Sequence, residues 1–185
     1  MAARLFFTAD NGSTGSEPYA TNDAGTGVVA LGDINAGAAD SMPNGNGLAA
    51  AIGSQVVFVA DNGSIGAELW ISDGTQGGTA LVADIIPGVL QPDIFGMTLA
   101  GDGRVYFAGG NPDIGTELFV TDGTAAGTML VADINQSVGD SFPRFLTVLG
   151  DAVLFNADDG IHGTELWVTD GTDPGTQLLL DIRPG

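Results

Sequence analysis

The chain has 185 residues, enough for one domain or two, with 23 acidic and 4 basic residues and a net charge of −19. So acidic a surface repels phosphate backbones and anionic lipids, which excludes nucleic-acid binding. Cysteine is absent, which excludes disulfides, thiolate nucleophiles and zinc–thiolate sites. No apolar run approaches the ~20 residues that a spanning helix needs, so we expect no membrane insertion.

A repeat with a period near 49 residues organises the chain. The motif Glu-Leu-Trp-x-x-Asp-Gly-Thr begins at Glu68 and Glu165, recurs with Phe in place of Trp at Glu117, and has a degenerate copy at Glu17. The aspartate of a closing Asp-Ile pair lies 16 residues after each of these glutamates. A fixed period of this length indicates a repeat architecture. We predict one repeat domain over residues 1–185, with units at approximately 1–43 (degenerate), 44–93, 94–143 and 144–185.

The last repeat shows a plan of four strands. Residues 145–149 and 152–157 are short apolar stretches joined by a Gly-Asp turn, which is typical of a hairpin. Residues 164–169 alternate polar and apolar side chains, and residues 176–182 form a fourth stretch after a Pro-Gly turn. Four short antiparallel strands in ~49 residues match a propeller blade. We therefore predict an all-β fold, a four-bladed β-propeller; a solenoid or a row of separate β-modules is the alternative.

The first repeat begins at what would be its second strand. The chain then holds about 15 strands, and the first blade lacks one. Unpaired sheet edges are sites where another chain adds a strand. We therefore expect a homo-oligomer or a filament that forms by strand addition at this edge.

The pattern Glu-Leu-Trp-x-x-Asp-Gly-Thr-x-x-Gly-Thr-x-Leu-Val-x-Asp-Ile resembles the ELWxxDGT repeats, also called hyalin-like, of large bacterial and archaeal surface or secreted proteins. The resemblance covers three repeats closely and the first loosely, where Pro18, Tyr19, Asn22, Asp23 and Ala24 replace motif residues. It implies an extracellular or cell-surface protein with a structural or adhesive role and no defined enzymatic activity.

A loop rich in Asp, Asn and Gly precedes each glutamate and suggests a calcium site. Calcium prefers six to eight oxygen ligands on a loop bent by glycine. The predicted ligands are Asp10, Asn11, Glu17, Asp61, Asn62, Glu68, Asn111, Asp113, Glu117, Asp158, Asp159 and Glu165. With equal weight, the glutamates could instead cap backbone N–H groups of the next turn.

Other recurring positions have structural or binding interpretations. Asp73, Asp122 and Asp170 stand before Gly and are predicted to form turns. An aromatic residue at one strand position packs between blades or stacks on glycans, as in a monomeric lectin or calcium-dependent adhesin; its copies are Tyr19, Trp70, Phe119 and Trp167. The single histidine, His162, has no equivalent in the other repeats, and we predict that the protein is not an enzyme.

Overall fold

The computed structural model describes residues 4–41, 48–85, 94–111, 113–136 and 138–182, without the side chain of Asn111. These residues form fifteen β-strands in four antiparallel sheets. None of the described residues belongs to a helix long and apolar enough to span a membrane. The prediction of an all-β fold is confirmed, as is the predicted number of strands within this part of the chain.

By its internal contacts the chain divides into an N-terminal unit, Met1–Pro92, and a C-terminal unit, Asp93–Gly185. The N-terminal unit holds two sheets. The first sheet has three strands in the order β1-β2-β3, which are β1 (Phe6–Asp10), β2 (Ser16–Thr21) and β3 (Val28–Ala30). The second has four strands in the order β4-β5-β6-β7, which are β4 (Ala49–Ile52), β5 (Gln55–Asp61), β6 (Ala67–Ser72) and β7 (Thr79–Ala83).

The C-terminal unit also holds two sheets, each with four strands. One contains β8 (Phe95–Leu99), β9 (Val105–Asn111), β10 (Gly115–Thr121) and β11 (Met129–Ala132). The other contains β12 (Arg144–Leu149), β13 (Ala152–Asp158), β14 (Thr164–Thr169) and β15 (Gln177–Leu180). In each sheet neighbouring strands follow one another along the chain, and each sheet lies inside one sequence repeat.

Buried and less buried residues alternate in β13 because successive side chains point to opposite faces, and Val153, Phe155 and Ala157 are buried. In the N-terminal unit the matching Phe58 is fully buried and contacts Phe6, with ring centroids 4.9 Å apart. These aromatic and aliphatic side chains form the core between the two sheets of each unit.

A β-bulge lies at the same place in three repeats. The register between the third and fourth strands shifts after Leu69, after Leu118 and after Leu166, one residue beyond each repeat glutamate. A bulge bends its strand and changes the direction of the chain that follows. The end of the fourth strand thereby comes close to the glutamate side chain.

The Asp-Gly turns form as the sequence predicts. The Asp73 carboxylate accepts hydrogen bonds from the backbone N–H and the hydroxyl of Thr75, at 2.9 and 2.7 Å. The next residue, Gly74, has φ +84°, which other residues rarely adopt. The same bonds recur at Asp122 and Asp170, so the prediction for the three turn aspartates is confirmed.

Two ties join the two repeats inside each unit, and they recur 100 residues apart. Arg4 donates to the backbone carbonyl of Asp73 at 2.7 Å, and Arg104 donates to that of Asp170 at 3.3 Å. The carbonyl of Ser41 accepts from the N–H of Asp61 at 2.7 Å. In the same way, the carbonyl of Ser141 accepts from the N–H of Asp158 at 3.0 Å. The second repeat has Gln55 in the arginine position and Pro92 in the serine position.

Candidate functional site

Among the described residues, the repeat glutamate is the most deeply buried charged position. Glu17, Glu68, Glu117 and Glu165 are at most 6% exposed. Burying a carboxylate is costly unless hydrogen bonds replace the lost water. The environment of this side chain is therefore where a specific role would be visible.

One carboxylate oxygen has the same partner in every repeat. Oε2 accepts a hydrogen bond from the backbone N–H of the isoleucine that lies 17 residues further along, at 2.8 to 2.9 Å. These isoleucines are Ile34, Ile85, Ile134 and Ile182. The structure thus shows the backbone contact of the alternative interpretation, in which the glutamate caps the turn after the fourth strand.

The repeats differ in what the glutamate meets besides this N–H group. Glu117 also accepts from the Ser141 hydroxyl at 2.7 Å, from the Ser141 N–H at 3.2 Å and from the Asn135 N–H at 3.3 Å. Glu17 Oε1 in the first repeat and Glu68 Oε1 in the second are buried and have no hydrogen-bond partner, and neither has Asp84 Oδ1. The sequence has Pro92 in the position of Ser141, and proline offers neither an N–H nor a hydroxyl group.

The electrostatics follow from these contacts. Burial is the main reason that the pKa of Glu68 is raised to about 7. The hydrogen bond from the Ile85 N–H lowers this pKa, and the nearby carboxylates of Asp84 and Asp61 raise it. Burial also raises the pKa of Glu117 to about 7, although the bonds from Ser141 and the backbone favour its charged form. The Glu68 carboxyl can therefore hold a proton near neutral pH.

The predicted loop ligands are used in turns within their own loops. Asp10, Asp61 and Asp158 each accept, through Oδ1, from the N–H of the glycine two residues on, at 2.7 to 2.8 Å. The next residue in each loop accepts from the N–H groups two and three residues on; these residues are Asn11, Asn62 and Asp159. Such side-chain turns compete for the same oxygens that a cation would use.

The structure does not bring the predicted ligands together as a metal site in its described part. Among the described residues, no group of three or more His, Cys, Asp or Glu side chains could hold a metal ion. The side chain of Asn111 lies outside the described residues, and Asp113 lies in the loop that follows β9. The calcium site stays a prediction from the sequence.

The recurring aromatic residue packs inside its sheet. Phe119 and Trp167 are 6% and 9% exposed, too little to offer a ring face to a sugar. The Trp70 indole N–H donates to the carbonyl of Ala60 at 3.0 Å. The Tyr19 ring stacks on Phe7 with centroids 5.9 Å apart. Each contact is one of packing or support.

His162 is the only histidine in the sequence. Its Nδ1 lies 2.7 Å from Asp159 Oδ2 on an exposed loop. That hydrogen bond raises the pKa of His162. The bond holds a turn of the fourth repeat.

Sequence reasoning missed Ser141 and Asp84 as neighbours of the glutamates. The pairs Asp40-Ser41 and Asp140-Ser141 are a usable signal because they lie 100 residues apart in otherwise variable connections. Their aspartates accept from the N–H groups of Ser16 and Thr116, next to the glutamates, at 2.6 and 2.7 Å. A constant distance of 16 residues from Glu to Asp was the corresponding signal for Asp84.

The other distinctive feature is the edge of the first sheet. The carbonyl of Leu5 accepts from the N–H of Thr21 at 2.9 Å, and β1 then pairs with β2 without a shift. Hydrogen-bonded and non-bonded residue pairs alternate along an antiparallel ladder. The backbone N–H and C=O groups of Phe7 and Ala9 therefore point toward β2, whereas those of Phe6 and Thr8 point away from it. The first sheet contains no strand beyond β1 among the described residues.

Two solved structures illustrate what the chain is similar to. A crystal structure of puromycin hydrolase matches with a TM-score of 0.52 at 13% identity, covering 96% of this chain and 28% of that one. A mutant of puromycin hydrolase complexed with PGG matches with a TM-score of 0.47 at 16% identity, covering 84% and 25%. This chain thus spans less than a third of the first structure's length. At such identity the first likeness shows the fold alone, an all-β, propeller-like arrangement.

No family model matches the chain, and no curated protein matches it.

Proposed function

We propose that this protein is an extracellular structural repeat protein whose copies associate by adding a strand to the open edge of the first sheet. One observation carries the proposal: the first sheet has three strands and ends at β1, whereas the other three sheets have four. The propeller-like fold supports the further proposal that the sheets are blades of a four-bladed propeller and that the first blade is completed in trans.

The composition of β1 supports strand addition. Proteins usually block an exposed edge with lysine, proline or a bulge. In β1, Phe6-Phe7-Thr8-Ala9-Asp10, none of these devices is present and the only charge is at the last residue. Each main-chain hydrogen bond made by an added strand contributes about 0.5–1.5 kcal/mol net.

The form of the assembly follows from the symmetry of the contact. An edge that accepts a strand differs from the segment that supplies it, so the contact is heterologous. A heterologous contact that does not close into a ring gives a filament. The absence of a repeated catalytic arrangement in the sequence supports a structural role, and we propose no reaction for this protein.

Light scattering on three versions of the chain tests this function. We expect the mass of the wild type to rise above 18.6 kDa with concentration. Thr8→Pro removes an N–H that points away from β2, so the mass should return to that of one chain, whereas Thr8→Val keeps the N–H and should associate like the wild type. A wild type that stays at one chain at every concentration, or a proline variant that associates equally well, would refute the proposal.

A further inference from the structure

We infer that the space beside β1 is a binding site for one uncharged, extended strand with the character of the strand that begins the other repeats of this chain. The inference rests on the proposed strand addition and names the partner of that edge. The strands that begin the other repeats are β4, β8 and β12.

A cavity of about 1030 Å³ opens between the first and second sheets of the N-terminal unit. Its lining residues include Arg4, Phe6 and Ala20 from the first repeat and Ala51, Gln55 and Val56 from the second. Phe6 is also a residue of β1 whose backbone N–H and C=O groups point away from β2, so the cavity and the unpaired ladder meet at this residue.

The C-terminal unit shows what belongs in this position. There β8 pairs with β9 and packs against β12 of the following repeat. A Cβ on Gly96 would lie 3.7 Å from Leu146, and the Thr98 hydroxyl lies 3.5 Å from the Leu146 carbonyl. The N-terminal unit has β1 in the position of β9 and β4 in the position of β12, but the described residues include no counterpart of β8.

Phe6 of β1 is half-buried. The matching residues Tyr106 in β9 and Val57 in β5 are at most 1% exposed, whereas the matching Leu154 in β13, beside β12, is half-buried as well. A strand added at β1 would cover the Phe6 ring, whose burial is a large source of binding energy.

The charges at the cavity indicate an uncharged occupant. The one cation, Arg4, is already neutralised, because its guanidinium lies 2.8 Å from the Asp23 carboxylate and donates to the Asp73 carbonyl. The Asp73 carboxylate of the lining accepts from Thr75 in its own turn. Strands β4 and β8 contain no charged residue, and β12 contains one, Arg144. A short apolar strand like β4 or β8 therefore fits both the backbone ladder and the lining.

Fluorescence anisotropy with a labelled peptide tests the inference. The peptide has the sequence of residues 94–101, which includes β8 and no charged side chain, and it is titrated with the full chain at concentrations where the chain is a monomer. We expect saturable binding that weakens at least tenfold when the peptide carries Thr98→Pro, because Thr98 pairs with Tyr106 through the backbone. In the full chain, Thr8→Pro should weaken binding about tenfold and Thr8→Val should not.

A second variant protects the test against misfolding of the first. Ala51 is an exposed residue of the lining, and Ala51→Trp should fill the cavity and weaken peptide binding about tenfold without touching the β1 edge. Thermal unfolding of each variant reports whether it is folded. Equal binding of the normal and proline peptides, or no saturable binding to the folded wild type, would overturn the inference.

The two proposals fail in different ways. A chain that associates in light scattering yet binds no peptide keeps the proposed function and overturns the strand site. A chain that binds peptide yet remains a monomer keeps the strand site and overturns self-association. If both hold, excess peptide should lower the mass of the associated wild type by competing for the same edge.

Discussion

Replacing Glu68 by Gln is expected to change how stability depends on pH. The folded protein raises the pKa of this carboxyl from 4.5 to about 7, so the folded state binds a proton that the unfolded chain releases. The stabilisation associated with this proton is fully present below about pH 4.5 and is lost as the pH rises through about 7. Glutamine keeps the shape of the protonated acid and cannot ionise.

The magnitude follows from the size of this difference. Each pH unit between the folded and unfolded pKa corresponds to about 1.4 kcal/mol, so the pair of values gives a loss of about 3 kcal/mol between pH 4.5 and pH 8. Asp84, whose Oδ1 has no other partner, is well placed to accept from either a protonated Glu68 or the glutamine amide. We therefore expect Glu68→Gln to be about 3 kcal/mol more stable than the wild type at pH 8 and nearly equal to it at pH 5.

Urea unfolding at pH 5, 6, 7 and 8 measures this difference directly. Glu117→Gln is the comparison variant: the pKa of Glu117 is also raised to about 7, but four hydrogen-bond donors surround that carboxylate and the amide NH2 group would face some of them. We therefore expect this variant to be about 1–3 kcal/mol less stable than Glu68→Gln at pH 8. If Glu68→Gln is no more stable than Glu117→Gln at pH 8, or if the wild type is as stable at pH 8 as at pH 5, the reasoning is refuted.

Three further outcomes are expected. Arg104→Ala should lower the free energy of unfolding in urea by about 1–2 kcal/mol, because the Arg104 side chain pairs with Asp102 at 2.6 Å and donates to the Asp170 carbonyl of the next repeat. Arg144→Ala loses a cation–π contact with Phe142 and should lower it by about 0.5 kcal/mol. Gly115→Ala should cost more than about 3 kcal/mol, because its φ is +69° and a Cβ would overlap the backbone of Gly139; Gly103→Ala, with φ +81° and open space, should cost about 1 kcal/mol. Calcium should shift the melting temperature by less than about 1 °C relative to chelator, because the loop oxygens already accept backbone N–H groups; a larger stabilisation would support the predicted calcium site instead.

The local features of the fold could be predicted from the sequence because they depend on neighbouring residues. Alternation in β13 and the Asp73-Gly74 turn need only the residues that form them. The spacing of the repeat glutamates then gave the number of sheets, and the late start of the first repeat gave its missing strand. Repeat spacing and turn-forming residues can be read directly from a single sequence.

The contacts of the glutamates could not be predicted in the same way. The N–H group that binds Glu117 lies 17 residues away, and Ser141 lies 24 residues away, so both contacts depend on the bulge after Leu118 and on the path of the connection. Acidic side chains beside glycine suit both a cation and a turn, and composition alone does not separate the two. Asp61 illustrates this, since the carboxylate predicted as a calcium ligand accepts a hydrogen bond from the N–H of Gly63 within its own loop.

The hydrogen bonds made by Arg4 and Ser41 recur at Arg104 and Ser141, 100 residues further along the chain. Each set lies within one pair of repeats, so a gene duplication that copies two repeats together keeps these bonds intact. Copying one repeat alone would set an arginine such as Arg4 beside a neighbour that brings its own arginine, and would displace a serine such as Ser41 from its partner. Arrays built this way grow by even numbers.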